Sequence, residues 1–194
     1  MQQEKKKIDR RVLRTKANIR DAFLRLLSEK TLTQITIKEL SDYADINRKT
    51  FYMYYSNIEE ILAELEDELV QKLVHVFEKE LFENETFDSF SFFENLNHTI
   101  QEDIMLYRLL NQADLLSHLI QRAKDALIDV FFRKYNISKD SNNERYILYA
   151  EYAASGILSM YTKWFSSDSQ ISLEELTKTA AEITLYGFQH LIPT

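Results

Sequence analysis

The stretch TIKELSDYADINRKTFYMYY, residues 36–55, decides how this chain is read. Ile37, Leu40 and Ala44 recur at helical spacing behind Thr36, a good N-cap residue, so the spacing predicts a short amphipathic helix. The pattern breaks at Ala44-Asp45-Ile46, and Asn47 opens a second short helix that runs to about Met53. Two such helices across so tight a turn form a helix-turn-helix. Phe51 is expected to point into the core. Arg48, Lys49, Thr50 and Tyr52 then face outward, two cations and two hydroxyls, which suits DNA phosphates and base edges.

Composition sets the frame around this motif. The chain has 194 residues, 45% of them hydrophobic, enough for one or two ordinary domains. It holds only two glycines and one proline, Pro193, too few for the turns a sheet protein needs. An all-α fold is expected: a three-helix helix-turn-helix head over residues 1–55, and a helical bundle over 56–194, about nine helices in all. No cysteine is present, which excludes disulfides, thiolate metal sites and a cysteine nucleophile. The N-terminal MQQEKKKID lacks an apolar core and no apolar run is long enough to span a bilayer, so a cytoplasmic protein without membrane contact is expected.

Net charge is −7, but it is unevenly spread. Residues 1–55 carry 13 Lys and Arg against 7 Asp and Glu, a net of +6, and residues 56–194 carry 11 against 24, a net of −13. Such a molecule presents only its basic end to phosphates. Lys5, Lys6 and Lys7 form a basic N-terminal arm. The first helix is expected over Arg10–Glu29, with Ile19, Ala22, Phe23, Leu26 and Leu27 as its apolar stripe and arginines crowding the rest. A fourth helix should open near Asn57 and run to about Phe82, with apolar residues on two sides.

The ordered string TIKELSDYADINRKTFYMYYSNIEEIL resembles the N-terminal domain of the tetracycline-repressor (TetR) family over roughly residues 10–65. The resemblance implies a homodimeric regulator without a cofactor, most simply a repressor released from its DNA operator by a small-molecule effector. The alternative is a co-regulator whose C-terminal body binds a partner protein. By position, Thr36 and Lys38 would meet the DNA backbone, Arg48, Lys49 and Thr50 the major groove, and Tyr52 and Tyr54 phosphate, with Asn47 also counted among the DNA-binding residues. Tyr54 stands where the family often has histidine. Asp45 replaces a common glycine, and Ile58 a common lysine.

Downstream, ENETFDSFS (83–91) reads as a connection, followed by helices over about 91–101, 103–111, 114–135 and 144–165. Capping boxes are expected at Ser141–Glu144 and at Ser172–Glu175, the latter opening the last helix. The last two helices carry more apolar surface than one core needs. Ile147, Ala150, Ala154, Ile157 and Tyr161, with Leu176, Ala180, Ile183 and Gly187, are therefore expected at a homodimer interface. The segment from Gly156 to Trp164 also resembles the C-terminal domain of the subgroup containing dihydroxyacetone-kinase regulators. No phosphate loop, nucleophile elbow or metal-binding His pair is present, so neither an enzyme nor a metal site is expected. A ligand cavity in the aromatic-rich body is expected to draw on Phe93, Tyr107 and Trp164, with His98, Arg108 and His118 as polar groups.

Overall fold

The computed structural model describes residues 10–138, 143–166 and 170–186. Among them every regular element is helical: α1 (Arg10–Glu29), α2 (Ile37–Tyr43), α3 (Arg48–Tyr52), α4 (Glu59–Glu83), α5 (Ser89–Glu102), α6 (Ile104–Gln112), α7 (Leu116–Tyr135), α8 (Glu144–Phe165) and α9 (Leu173–Tyr186), with one 3-10 turn at Leu32–Gln34. None of these helices is long and apolar enough to cross a membrane. The chain divides into two compact units, Met1–Glu66 and Asp67–Thr194. The first extends past residue 55 because Ile58, Ile61, Leu62 and Leu65 are all buried and belong with it.

In the first unit α1 packs on α2 and α2 on α3. The α1 stripe is buried as its spacing requires, Ile19, Phe23 and Leu26 completely. Leu40 and Phe51 close the same core, both at 0% exposure. In the second unit α5 packs against α9, α8 against α7 and α9, and α6 against α7 and α8. Helix α5 starts earlier than its apolar pattern indicates. Asp88 caps it, accepting from the Phe90 and Ser91 amides, while the buried Glu80 carboxylate accepts from the Asp88 N–H at 2.9 Å.

With few glycines, the chain closes helices with acidic and amide residues. Asp45, Asp114 and Asn136 all have positive φ, at 54°, 58° and 49°. Each follows a helix and lets the next amide reach back, as Ile46 N–H does to the Ser41 carbonyl at 3.0 Å and Ile137 N–H to Phe132 at 3.0 Å. At the start of α9, Ser172 Oγ accepts from the Glu175 amide at 3.1 Å, as expected. The proposed Ser141 cap lies outside the described residues, as do the arm at Lys5–Lys7 and Gly187.

Candidate nucleic-acid interface and body cavity

The first unit presents α3 outward by anchoring it at one side and capping it at its start. Thr36 caps α2 by accepting from the Glu39 amide at 3.3 Å. Asn47 caps α3: its Oδ1 accepts from the Thr50 amide at 2.8 Å and from the Thr50 hydroxyl at 3.1 Å. Between them, Asp45 in the left-handed region makes the turn without glycine, a conformation Asp adopts at lower cost than most residues. Phe51 is the anchor, ringed by Tyr52 edge-on at 5.6 Å and Tyr55 at 6.0 Å. Tyr55 is itself buried, under the Lys16 ammonium at 5.1 Å, and Lys16 pairs with Glu64 at 2.7 Å.

What remains outside is the surface expected from the sequence. Thr36, Lys38, Asn47, Arg48 and Lys49 are exposed, Tyr52 is 57% exposed, and Thr50 and Tyr54 are half-buried. Met53, 71% exposed, adds an apolar patch at the end of α3 that the residue pattern does not single out. Ile58 is buried rather than turned outward, so it serves the core where a lysine would serve phosphate. Two further cations on this unit are occupied: Lys30 pairs with Glu39 at 2.6 Å, and the Arg25 guanidinium lies over the Tyr43 ring at 5.1 Å.

The second unit holds a cavity of about 400 Å³, partly open to solvent and within the ~300–1,000 Å³ range of small-molecule sites. Phe77, Phe87, Phe92, Phe131 and Phe165 supply aromatic wall, Leu73, Leu96, Ile120 and Leu127 aliphatic wall, and Ala150, Ala153, Ala154, Ile157 and Tyr161 come from α8. Tyr107 lines it and stacks on Phe165 at 5.2 Å, the rings 15° from parallel. Burial, and secondarily the Asp103 carboxylate, hold the Tyr107 phenol well above its usual range; burial pushes Tyr161 up to about 12, against a smaller opposing influence of Thr177. Both therefore stay neutral at any physiological pH.

No protein-family model matches the chain. A segment of 61 residues is 44% identical to YxbF, an uncharacterized HTH-type transcriptional regulator of Bacillus subtilis (strain 168), covering 31% of this chain and 16% of that protein. The match thus spans only a small part of that relative's length. Three solved structures align over 88% of this chain. They are the dihydroxyacetone kinase operon activator DhaS (22% identity, 94% of that chain, TM-score 0.54), the TetR-family repressor AlkX from Dietzia sp. strain DQ12-45-1b (19%, 94%, 0.53) and the TetR-family regulator PfmR from Thermus thermophilus (18%, 98%, 0.55). The fold is that of the TetR family.

Within this TetR-like fold the body residues fall differently from the sequence pattern. Of the six expected ligand residues, Tyr107 alone lines the cavity. Phe93 is a fully buried core residue. His98 is exposed, 3.5 Å from Glu102, and Arg108 and His118 are exposed as well. Trp164 lies outside the wall, its indole N–H donating to the Ile171 carbonyl at 3.0 Å and its ring edge-on to Phe165. Helical spacing shows that polar residues share a helix, not which of its sides meets a cavity. Among the described residues no group of three or more His, Cys, Asp or Glu is placed to hold a metal.

The expected dimer residues also need correction. Ala150, Tyr161, Leu176 and Ala180 are buried inside the single chain, so they present no surface to a second copy. Ile147 and Ala154 pack on the Ile128–Phe132–Ala150 cluster between α7 and α8, and Ala154 and Ile157 line the cavity. Ile183 is half-buried on α9. The reason is geometric: an apolar stripe is covered by whatever packs on it, and here the chain's own helices do so. The side of α8 left exposed is instead Leu148 and Tyr152, followed by Ser155 and Gly156. A Cβ placed on Gly156 would meet nothing within 4 Å.

Proposed function

We propose that this chain is a DNA-binding transcriptional regulator, acting as a homodimeric cytoplasmic repressor released from its operator by a small-molecule effector. The observation that carries the reading is the presentation of α3. A five-residue helix, capped by Asn47 and anchored by Phe51, exposes Arg48, Lys49 and Tyr52 from the basic segment of an otherwise acidic molecule. Two such helices in a twofold dimer would read half-sites about one DNA turn, ~34 Å, apart.

The cavity supports the effector over the rival in which the body docks a protein partner. A ligand that prefers one conformation of the body lowers operator affinity by mass action, and only by as much as its preference between the two states. The test is operator binding at fixed salt, on DNA flanking the protein's own gene. Lys49→Ala and Tyr52→Ala should each weaken it, by about tenfold for one lost charged or polar contact, with the sedimentation behaviour of the dimer unchanged. Wild-type affinity in both variants would place the DNA-contacting face elsewhere.

A further inference from the structure

We infer that the ligand of the body cavity is a neutral, hydrocarbon-like compound. This rests on the reading of the body as an effector domain and deepens it. Among the described residues that form its wall there is no Asp, Glu, Lys, Arg or His. A charged ligand would therefore give up water along this wall with nothing of opposite sign in it to meet, a costly burial. The wall's polar groups are Thr184 and four tyrosines, Tyr107, Tyr135, Tyr149 and Tyr161, of which Tyr135 sets its ring against Phe131 at 4.9 Å. Thr184 donates to the Ala180 carbonyl at 2.8 Å, and the Tyr149 hydroxyl accepts from Arg145 Nε at 2.6 Å.

The Tyr107 and Tyr161 hydroxyls decide the matter. Both belong to wall residues, and each hydroxyl oxygen has under 1 Å² of accessible surface and no hydrogen-bond partner. What these tyrosines offer a guest is ring, not hydroxyl. Selection then depends on volume and on aromatic contact with Phe77, Phe92 and Phe131, for which edge-on and offset-stacked arrangements are the favourable ones.

The experiment uses the whole protein and two fluorescent probes that share one aromatic skeleton, neutral N-phenyl-1-naphthylamine and its sulfonated relative 1-anilinonaphthalene-8-sulfonate. The neutral probe should bind once per chain and at least tenfold more tightly than the sulfonate. Ala154→Phe and Ile157→Phe, which place bulk in the cavity at two separate points, should each reduce its uptake at least tenfold. Tyr107→Phe and Tyr161→Phe should leave it within about twofold. Equal or tighter binding of the sulfonate overturns the inference, as does neutral uptake that survives both filling variants. A tenfold loss on removing the hydroxyls overturns it too, since that would mean a polar anchor. Operator binding measured on the same samples keeps the two readings apart. Neutral uptake with unchanged DNA affinity supports this ligand class and counts against effector release. Release by the sulfonate without neutral uptake does the opposite.

Discussion

At Asp45 one backbone angle makes the helix-turn-helix possible. Its φ of 54° lets the Asp45 and Ile46 amides reach back to Asp42 and Ser41, ending α2 and aiming the chain into α3. Asp tolerates this region but glycine occupies it freely, so Asp45→Gly should be neutral to stabilising by up to ~1 kcal/mol. Asp45→Val should destabilise by ~1–2 kcal/mol. Thermal unfolding of the two variants measures both, and a Val variant as stable as the parent would contradict the assigned turn. Phenols make a second residue-scale case. Burial raises Tyr161 from 10.0 to about 12 and moves Tyr107 the same way. Between those pH values the folded chain holds protons that the unfolded chain releases, so stability is intact below pH 10 and falls as pH rises toward 12. Denaturant titrations at about pH 9 and 11, either side of the ordinary phenol value, should show a smaller loss in the Tyr107→Phe/Tyr161→Phe double variant than in the parent. An equal loss would show that other groups govern the alkaline limb.

Among the helices, α8 presents two distinct surfaces. One is covered by α7 and by the cavity; the other exposes Leu148 and Tyr152 beside the small residues Ser155 and Gly156. Apolar surface next to small residues is the composition that lets two helices approach closely, and in the proposed dimer it is the part of α8 on which a second copy would sit. Tyr152, 67% exposed, touches little in the single chain, so Tyr152→Glu should leave the fold stable while shifting the protein from dimer to monomer in sedimentation equilibrium. Persistence of the dimer in both Tyr152→Glu and Leu148→Glu would move the interface off this side of α8. Helix α3 shows a different economy. At five residues it is too short to be stable alone, and its shape is imposed by the Asn47 cap and the buried Phe51.

For the molecule as a whole, charge distribution outweighs net charge. A protein of net −7 is repelled by DNA at long range, but its first 55 residues carry +6. Each phosphate neutralised releases counterions, so operator affinity should still fall steeply with salt, by orders of magnitude between about 50 and 200 mM if several phosphates are met. Lys49→Ala should flatten that dependence by about one counterion if its ammonium lies on a phosphate. Affinity that is flat or rising with salt would be incompatible with the basic segment as the contact surface.

Sequence alone determined the helical class, the positions of the caps at Thr36, Asn47 and Ser172, and the sidedness of α1 and α3. Each is a local matter: a spacing of apolar residues, a side chain reaching an amide three positions away, a glycine count too low for hairpins. What covers each stripe is not local, and only the folded chain decided it. The row Ala150–Ala154–Ile157–Tyr161, which as a sequence reads like a dimer seam, is turned into the body as cavity wall and core. The histidines and arginine that looked like ligand groups are exposed to solvent, and Tyr107 alone of that set lines the cavity. Periodicity says that a face is apolar; it carries no record of which other helix, far away along the chain, arrives to bury it.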